Sequence, residues 1–374
     1  GIEKNQFFSS MQAAYIFFLI TFTANIFIIY KGISGGIEKL CKIAMPTLLI
    51  FGIIIAIRVL TLGAPDASKP TWNILNGLGF LWNPDFSALK DAKVWLAAAG
   101  QIFFTLSVGI GVILTYASYL KKTDDVALSG LTAASTNEFA EILLGASIII
   151  PAAFVFFGPL KIQTIAQSGA FNLGFVTMPL IFQKLALSAF FGCLWFGLLF
   201  LAGLTSSVSL AQPSIAFLED EFNISKKKAV IVFGIASFIL CQPAIFFLKY
   251  GVVDELDFWG GTFCLVLFAT VETILFGWVF GIEKAWQEIH HGSELKIPKI
   301  YKFIIKYITP VFLFCILGFW FIQQGIPIIM MKGVPEANKP YVLGTRILLI
   351  AMFVSISIMV KIAWGKRRQR KPKK

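Results

Sequence analysis

The stretch GQIFFTLSVGIGVILTYASY, residues 100–119, is long and apolar enough to cross a membrane, but small and polar residues interrupt its centre. Thr105, Ser107, Gly109 and Gly111 stand where a membrane helix would break. A helix that opens inside the bilayer exposes backbone N–H and C=O groups, which is tolerated only where they line a cavity or bind something. The stretch therefore predicts a discontinuous helix, broken near Ser107–Gly111, with a binding site at the break.

The composition of the whole chain indicates an all-α membrane protein. Of the 374 residues, 57% are hydrophobic and 14% charged, with a mean hydropathy of +0.80, whereas a soluble domain carries roughly 25% charged residues. Apolar windows of about 20 residues recur along the chain, without the alternation of a membrane β-barrel. We expect nine transmembrane helices, near residues 11–31, 38–61, 94–120, 129–157, 189–217, 229–249, 257–280, 307–325 and 343–364.

The net charge of +12 follows membrane topology rather than nucleic-acid binding. Lysines cluster in or beside alternate loops, and the basic tail at residues 365–374 falls on the same side. By the positive-inside rule these segments are cytoplasmic, so we expect a multi-pass protein of the cytoplasmic (inner) membrane, with the N-terminus of this chain outside and its C-terminus in the cytoplasm.

The remaining reactive residues favour neither an enzyme nor a disulfide-linked protein. His290 and His291 lie in a predicted cytoplasmic loop without a nucleophile or metal cluster nearby, so we expect no enzymatic activity and no organic cofactor. The five cysteines lie in or beside predicted helices without paired metal spacing, and we interpret them as small apolar packing residues.

Five stretches carry a family resemblance. They are GISGGIEKLCKIAMP (residues 32–46), GQIFFTLSVGIG (100–111), SGLTAASTNEFAE (129–141), AGLTSSVSLAQPSIAFLED (202–220) and DFWGGT (257–262). With these motifs the chain resembles the neurotransmitter:sodium symporter family, in particular its bacterial amino-acid transporters of the leucine-transporter type.

The resemblance implies a leucine-transporter-type inverted-repeat bundle. Aligned by motif, this chain corresponds to family helices 4 to 12, and it begins with Gly1 rather than an initiator Met, so we expect helices 1 to 3 to be missing. The implied organisation is a single transmembrane domain over residues 1–374. It comprises the end of the first inverted repeat (1–62), the second inverted repeat (94–280), two C-terminal helices (307–364) and the basic cytoplasmic tail (365–374).

The resemblance also implies a set of site residues. Two sodium sites, each only partly supplied by this chain, would use Thr105 and Asn137 in one case and Ala202, Thr205 and Ser206 in the other. The amino-acid pocket would be lined by Phe104, Thr105, Ser107, Ile110, Ser207 and Leu210. The gates would be Phe104 as a lid, Asp257 outside, and Asp220 supported by Tyr119 inside. Each of these residue types is also common in plain membrane-helix packing, and a Thr in such a helix often bonds only its own i−4 carbonyl.

Glu141 has the largest free-energy cost of these residues, because placing an ionised carboxylate near the bilayer centre costs several kcal/mol. The resemblance implies that its charge replaces the chloride ion of animal relatives, which have a Ser at this position. Two further intramembrane carboxylates, Glu138 and Glu272, are interpreted as buried hydrogen-bonded groups.

These expectations lead to a sodium-coupled, chloride-independent symporter of a small neutral, hydrophobic amino acid that works by alternating access. Its partners would be the amino acid, sodium ions and the lipid bilayer, with a homodimer left open. One alternative is a proton-coupled amino-acid transporter with Glu141 as the proton carrier. Another is a truncated membrane protein that does not transport.

Overall fold

The computed structural model describes residues 11–167 and 169–370, and within these ranges no residue lies in a β-strand. The first ten residues and the tail residues 371–374 lie outside the described part. The α-helices are α1 (Met11–Gly32), α2 (Glu38–Leu60), α3 (Ile74–Trp82), α4 (Ala92–Thr105), α5 (Val112–Ala117), α6 (Val126–Glu138), α7 (Ser147–Phe157), α8 (Pro159–Gln167), α9 (Ala170–Asn172), α10 (Met178–Gln183), α11 (Ser188–Leu210), α12 (Gln212–Phe222), α13 (Lys226–Phe246), α14 (Val252–Leu256), α15 (Cys264–Ile274), α16 (Ile282–His290), α17 (Ile300–Phe303), α18 (Thr309–Trp320), α19 (Ile326–Ile329) and α20 (Lys339–Arg370). The π-helical segments are Ile33–Ile37, Phe139–Ala146, Leu173–Thr177, Asp257–Phe263, Leu275–Gly281, Ile304–Ile308 and Phe321–Gly325, and the 3-10 turns are Phe86–Lys90, Leu248–Tyr250 and Glu336–Asn338.

Seven helical segments of the described chain, rather than the nine predicted, are long and apolar enough to cross a membrane. One of the seven, Met11–Leu60, covers two of the predicted helices in a single run. Gly32 inside this run has a φ of 86°, and a left-handed residue does not continue a right-handed helix. The predicted helix at 94–120 is not among the seven, because it is divided into α4 and α5, of 14 and 6 residues.

The seven segments show the surface chemistry of membrane helices. Only between 6% and 33% of the residues in their most apolar windows are buried within the protein, and many of their Leu, Ile and Phe side chains are exposed. Such a surface is stable in a bilayer, since lipid tails are as apolar as these side chains. The chain is therefore a multi-pass membrane protein.

The chain divides into two compact units. The first unit comprises Gly1–Gly36, Leu89–Ser129 and Ser207–Lys374, and the second comprises Ile37–Ala88 and Gly130–Ser206. The predicted division into inverted repeats stays a prediction.

The second unit has its core where α2, α3, α7, α10 and the first half of α11 meet. Fully buried residues include Ile55, Ala152 and Met178. Helices α3 and α7 approach closely, since a Cβ on Gly77 would stand 2.8 Å from the Cα of Pro151. The indole N–H of Trp195 donates to the carbonyl of Gly174, 2.9 Å away, which fixes the segment after α9 to α11.

The first unit has a core between α4, α15 and α18. Leu96, Val266 and Trp320 fill it, each 1% exposed or less. A Cβ on Gly100 would stand 2.9 Å from the Thr262 methyl group, so the absence of a side chain lets α4 approach the segment before α15. This packing holds α4, and with it the end of α4 at Thr105, against α15.

The interpretation of the cysteines needs one correction. All five are free thiols, but Cys193 and Cys315 are exposed rather than packed in a core. A thiol is apolar enough to face lipid, so the apolar composition around a cysteine in sequence does not distinguish burial in protein from exposure to the bilayer.

Candidate functional site

The break predicted in residues 100–119 corresponds to a non-helical segment between α4 and α5. Helix α4 ends at Thr105 and α5 begins at Val112. Ser107, Gly109 and Gly111 have φ values of 57°, 78° and 83°. The left-handed conformation costs a residue with a side chain about 1–2 kcal/mol, so Ser107 is held there by its surroundings. That α4 and α5 are two halves of one membrane-crossing helix remains a proposal.

The backbone of this segment is held by α15. The amide of Gly109 donates to Oε2 of Glu272, 3.1 Å away. A Cβ on Gly109 would stand 2.8 Å from the carbonyl oxygen of Leu265, so the residue at this position must lack a side chain. The interpretation of Glu272 as a hydrogen-bonded carboxylate is confirmed, although the residue is half-buried rather than buried.

The residues predicted to line the amino-acid pocket lie at the end of α4, on this segment and on α11. Phe104, Thr105, Ser107 and Ile110 follow one another through the break, and Phe104 is 46% exposed. On α11, Leu210 is 41% exposed, and the Ser207 hydroxyl donates to Oδ1 of Asn25, 2.5 Å away on α1. The role of these residues as a pocket stays a prediction.

The residues predicted for the second sodium site form a local group of oxygens. The Thr205 hydroxyl donates to the carbonyl of Ala202 at 3.1 Å and to that of Leu201 at 2.9 Å. Thr205 is buried, and Ser206 beside it is exposed. Carbonyl and hydroxyl oxygens suit a hard cation such as sodium, so the group fits one side of a sodium site. The same geometry is also the usual bond of a helical Thr to its own preceding turn.

Asn137 and Glu141 lie together at the end of α6. The Asn137 side-chain amide donates to Oε2 of Glu141 at 3.4 Å, and both residues are half-buried. Glu141 belongs to the π-helical segment Phe139–Ala146, a form that is frequent at functional sites. Thr105 belongs to the first unit and Asn137 to the second, so their predicted pairing stays a prediction.

The predicted gate residues are exposed at helix ends. Asp257 opens the π-helical segment Asp257–Phe263, and a Cβ on Gly261 would stand 2.9 Å from its carboxylate oxygen. Asp220 lies near the end of α12, which packs against α5, and Tyr119 follows the last residue of α5 by two positions. These positions leave the carboxylate of Asp257 and the ring of Tyr119 accessible.

Two polar contacts of serines on α11 were not anticipated from the sequence. Asn25 on α1 binds Ser207, and the hydroxyl of Tyr116 on α5 donates to the Ser209 hydroxyl at 3.1 Å. Asn25 had a signal in the sequence, since it is a lone amide within an apolar segment of membrane length. Tyr116 had no comparable signal, because tyrosine is common near the ends of membrane helices.

Comparison with known proteins identifies the family. Residues 8–367 match the model of the Sodium:neurotransmitter symporter family. The chain belongs to this family. A sodium-dependent transporter of Methanocaldococcus jannaschii is 32% identical over 88% of this chain, and one of Haemophilus influenzae is 30% identical over 80%. A solved structure, the transporter MhsT in complex with L-phenylalanine, is 30% identical, covers 84% of this chain and 69% of its own, and superposes with a TM-score of 0.71.

These matches confirm the predicted class of protein. The family consists of sodium-dependent symporters, not enzymes, as predicted. The chain spans 64% of the length of both the archaeal and the Haemophilus relative. The match from residue 8 gives no support to the expectation that three helices are missing.

Proposed function

We propose that the whole protein is a sodium-coupled symporter of a small neutral, apolar amino acid. The observation that carries the proposal is the non-helical segment between α4 and α5, with three left-handed residues between two apolar helices. In a membrane protein such backbone is stable only beside a cavity or ligand. Family membership gives that ligand its chemical class.

The proposed amino-acid site is apolar on its side-chain surface. Phe104, Ile110 and Leu210 offer aromatic and aliphatic contacts. The hydroxyl of Thr105 lies at the end of α4, and that of Ser107 lies within the break. MhsT was solved with L-phenylalanine, which supports a hydrophobic amino acid as the substrate class for this chain as well. Ile110 is a branched aliphatic residue of the proposed pocket. The largest substrate side chain that the pocket accepts is a quantity for measurement.

The proposed sodium sites, each only partly supplied by this chain, use its hydroxyl, amide and carbonyl oxygens. One site takes the hydroxyl of Thr105 and the amide oxygen of Asn137, and the other takes the carbonyl of Ala202 with the hydroxyls of Thr205 and Ser206. A sodium ion next to the substrate carboxylate stabilises it electrostatically, so each ligand raises the affinity of the other by the same factor. This mutual stabilisation couples the sodium gradient to uptake.

The proposed independence of transport from chloride depends on Glu141. Its carboxylate supplies a permanent negative charge close to the proposed sodium site. A relative from Xenopus laevis is described as a sodium- and chloride-dependent glycine transporter, so the anion requirement differs within the proposed scheme. Transport by this protein is then independent of chloride. The proton-coupled alternative uses the same carboxylate as the proton carrier, and the ion dependence of uptake separates the two.

Orientation and assembly complete the proposal. The lysine-rich loops and the basic tail favour a cytoplasmic C-terminus in the inner membrane. In this orientation Asp257 lies at the outer gate and Asp220 with Tyr119 at the inner gate. A homodimer remains open.

The direct test measures uptake of radiolabelled neutral amino acids into proteoliposomes that contain the full protein. A sodium gradient should drive accumulation, and a proton gradient in sodium-free buffer should not. Accumulation driven by protons alone would replace the proposal with the proton-coupled alternative. Sodium-independent behaviour with no accumulation of any neutral amino acid by well-folded protein would favour the non-transporting alternative.

A further inference from the structure

A groove runs along the surface of the first unit between α4 and α18. We call it the α4–α18 groove. It encloses about 320 Å³, and its walls and floor are formed by Trp95, Phe312, Ile316 and Phe319, with Lys90 and Gln323 at one end. Trp95 and Phe312 meet edge to face, with ring centroids 5.7 Å apart. The interior of the groove is therefore aromatic and aliphatic.

Two side-chain polar atoms that line the groove already have hydrogen-bond partners within the protein. The Trp95 indole N–H donates to the carbonyl of Leu89 at 2.8 Å, and Oε1 of Gln323 accepts from the amide of Ala92 at 3.0 Å. The carboxylate of Asp91 accepts from the amide of Lys93 and from the side chain of Gln324. These atoms therefore need no hydrogen bond from an occupant of the groove.

Lys90 is the exception. It is exposed, and among the residues that the structure describes it forms no ion pair. The hydrogen bond from Trp95 to Leu89 fixes the turn Phe86–Lys90 to α4, and this places the lysine at the end of the groove rather than on a free loop. The groove thus presents one unmatched positive charge above an apolar channel.

The length of the groove matches one leaflet of a bilayer. Phe312 and Gln323 are 11 positions apart along α18 and the π-helical segment after it, which corresponds to roughly 16 Å at a rise of about 1.5 Å per residue. Half of a hydrocarbon core of about 30 Å is of the same size. An apolar channel of this length with a cation at one end has the dimensions of an extended acyl chain below a phosphate.

We propose that the α4–α18 groove binds a phospholipid with an anionic headgroup, with the phosphate at Lys90 and one acyl chain along Phe319, Ile316 and Phe312. A protein partner is the other possible occupant, and the test below distinguishes it from a lipid. The inference is independent of the transport cycle and of the proposed substrate.

The native cysteines provide the test. Cys315 lines the groove and is exposed, whereas Cys193 is exposed on α11 and lies outside the groove. In detergent, a bound acyl chain should shield Cys315 from a maleimide and leave Cys193 reactive. The rates at both thiols are read from the same sample by peptide mass spectrometry, with phosphatidylglycerol, phosphatidylcholine or inorganic phosphate added in excess.

We expect phosphatidylglycerol to slow the reaction of Cys315 with a preference over phosphatidylcholine of about five-fold, the contribution of one lysine near a lipid phosphate. Lys90→Gln should abolish the preference, and Lys161→Gln, which removes an exposed charge on α8, should keep it. Equal shielding by both lipids, or no shielding, would overturn the proposal. Shielding by inorganic phosphate alone would assign an anion site instead, and a Cys315 that is unreactive only in an oligomeric fraction would assign the groove to a protein partner.

Discussion

The backbone amide of Gly109 donates a hydrogen bond to the carboxylate of Glu272, with 3.1 Å between the nitrogen and Oε2. Gly109 lies in the non-helical segment after α4, and Glu272 lies on helix α15. Non-helical backbone has lost its own helical partners, and a carboxylate is a strong acceptor for one of the freed amides. Glu272 therefore stabilises the conformation on which the proposed site depends.

Removal of this acceptor should destabilise the non-helical segment between α4 and α5. A hydrogen bond to a charged group contributes about 1.5–3 kcal/mol, so we expect Glu272→Ala to lower stability by about that amount and Glu272→Gln by less. Thermal unfolding followed by tryptophan fluorescence in detergent measures the change. Glu138→Ala, at another half-buried carboxylate, serves as the control. If Glu272→Ala unfolds like the unaltered protein, the bond is not structural.

The hydroxyls at the proposed second sodium site offer a test of coupling. Thr205→Ala combined with Ser206→Ala removes two oxygen ligands, and we expect sodium-driven uptake to be lost while the protein still folds. Thr47→Ala is the matched control, because the Thr47 hydroxyl also bonds the carbonyl four residues before it, at 2.8 Å. Normal sodium-dependent uptake by the well-expressed double variant would remove these residues from the site.

The charge of Glu141 should set the anion requirement. Two unit charges a few ångströms apart interact by several kcal/mol at an effective dielectric constant of about 20, so a carboxylate offsets nearby sodium. We expect uptake by the unaltered protein to be unchanged when gluconate replaces chloride, and Glu141→Ser to need chloride. Glu138→Ser should not acquire this requirement. Full activity of Glu141→Ser without chloride would reduce Glu141 to a structural carboxylate.

The ion pair between Glu255 and Arg346 should be a major stabilising contact of the first unit. The Arg346 guanidinium binds both carboxylate oxygens at 2.9 and 3.1 Å, and the two side chains are each 14% exposed. Loss of one partner from a buried pair costs about 3–5 kcal/mol, so we expect Arg346→Ala to approach the lower figure. Lys339→Ala, which breaks an exposed pair with Glu336, should change stability by about 0.5 kcal/mol or less. Equal unfolding temperatures for the two variants would contradict this expectation.

Asp125 links the loop before α6 to the loop after α16. Its carboxylate accepts hydrogen bonds from the amides of Leu128 and Glu294, and these bonds, that of Leu128 foremost, lower the pKa of Asp125 below its usual value. A carboxylate with a lowered pKa stabilises the folded state above its unfolded pKa, near 4, and loses that contribution as the pH falls through the folded value. We therefore expect the amide of Glu294 to exchange faster with deuterium as the pH drops below about 4, after correction for intrinsic rates. Asp125→Asn should remove this pH dependence. A corrected exchange rate of the Glu294 amide that stays constant as the pH falls would contradict the role of Asp125.

The sequence located the break because its signal is local. Ser107, Gly109 and Gly111 are small or polar residues within an apolar segment, and the positive φ values occur at these three positions. The count of nine helices differed from the seven long apolar segments for a related reason. Hydropathy reports how apolar a window is, but it does not report where a helix begins or ends. The count fell because Met11–Leu60 is one helical run that covers two predicted helices, and because the predicted helix at 94–120 is divided into α4 and α5.

By itself, the sequence determined the membrane class and the family, because hydropathy and short motifs are properties of neighbouring residues. The tertiary structure alone decided which groups support the break. Gly109 and Glu272 are 163 positions apart, Ser207 and Asn25 are 182 apart, and Glu255 and Arg346 are 91 apart. Each pair is chosen by how helices pack, and packing depends on the side-chain shapes of several helices at once, which no local pattern encodes.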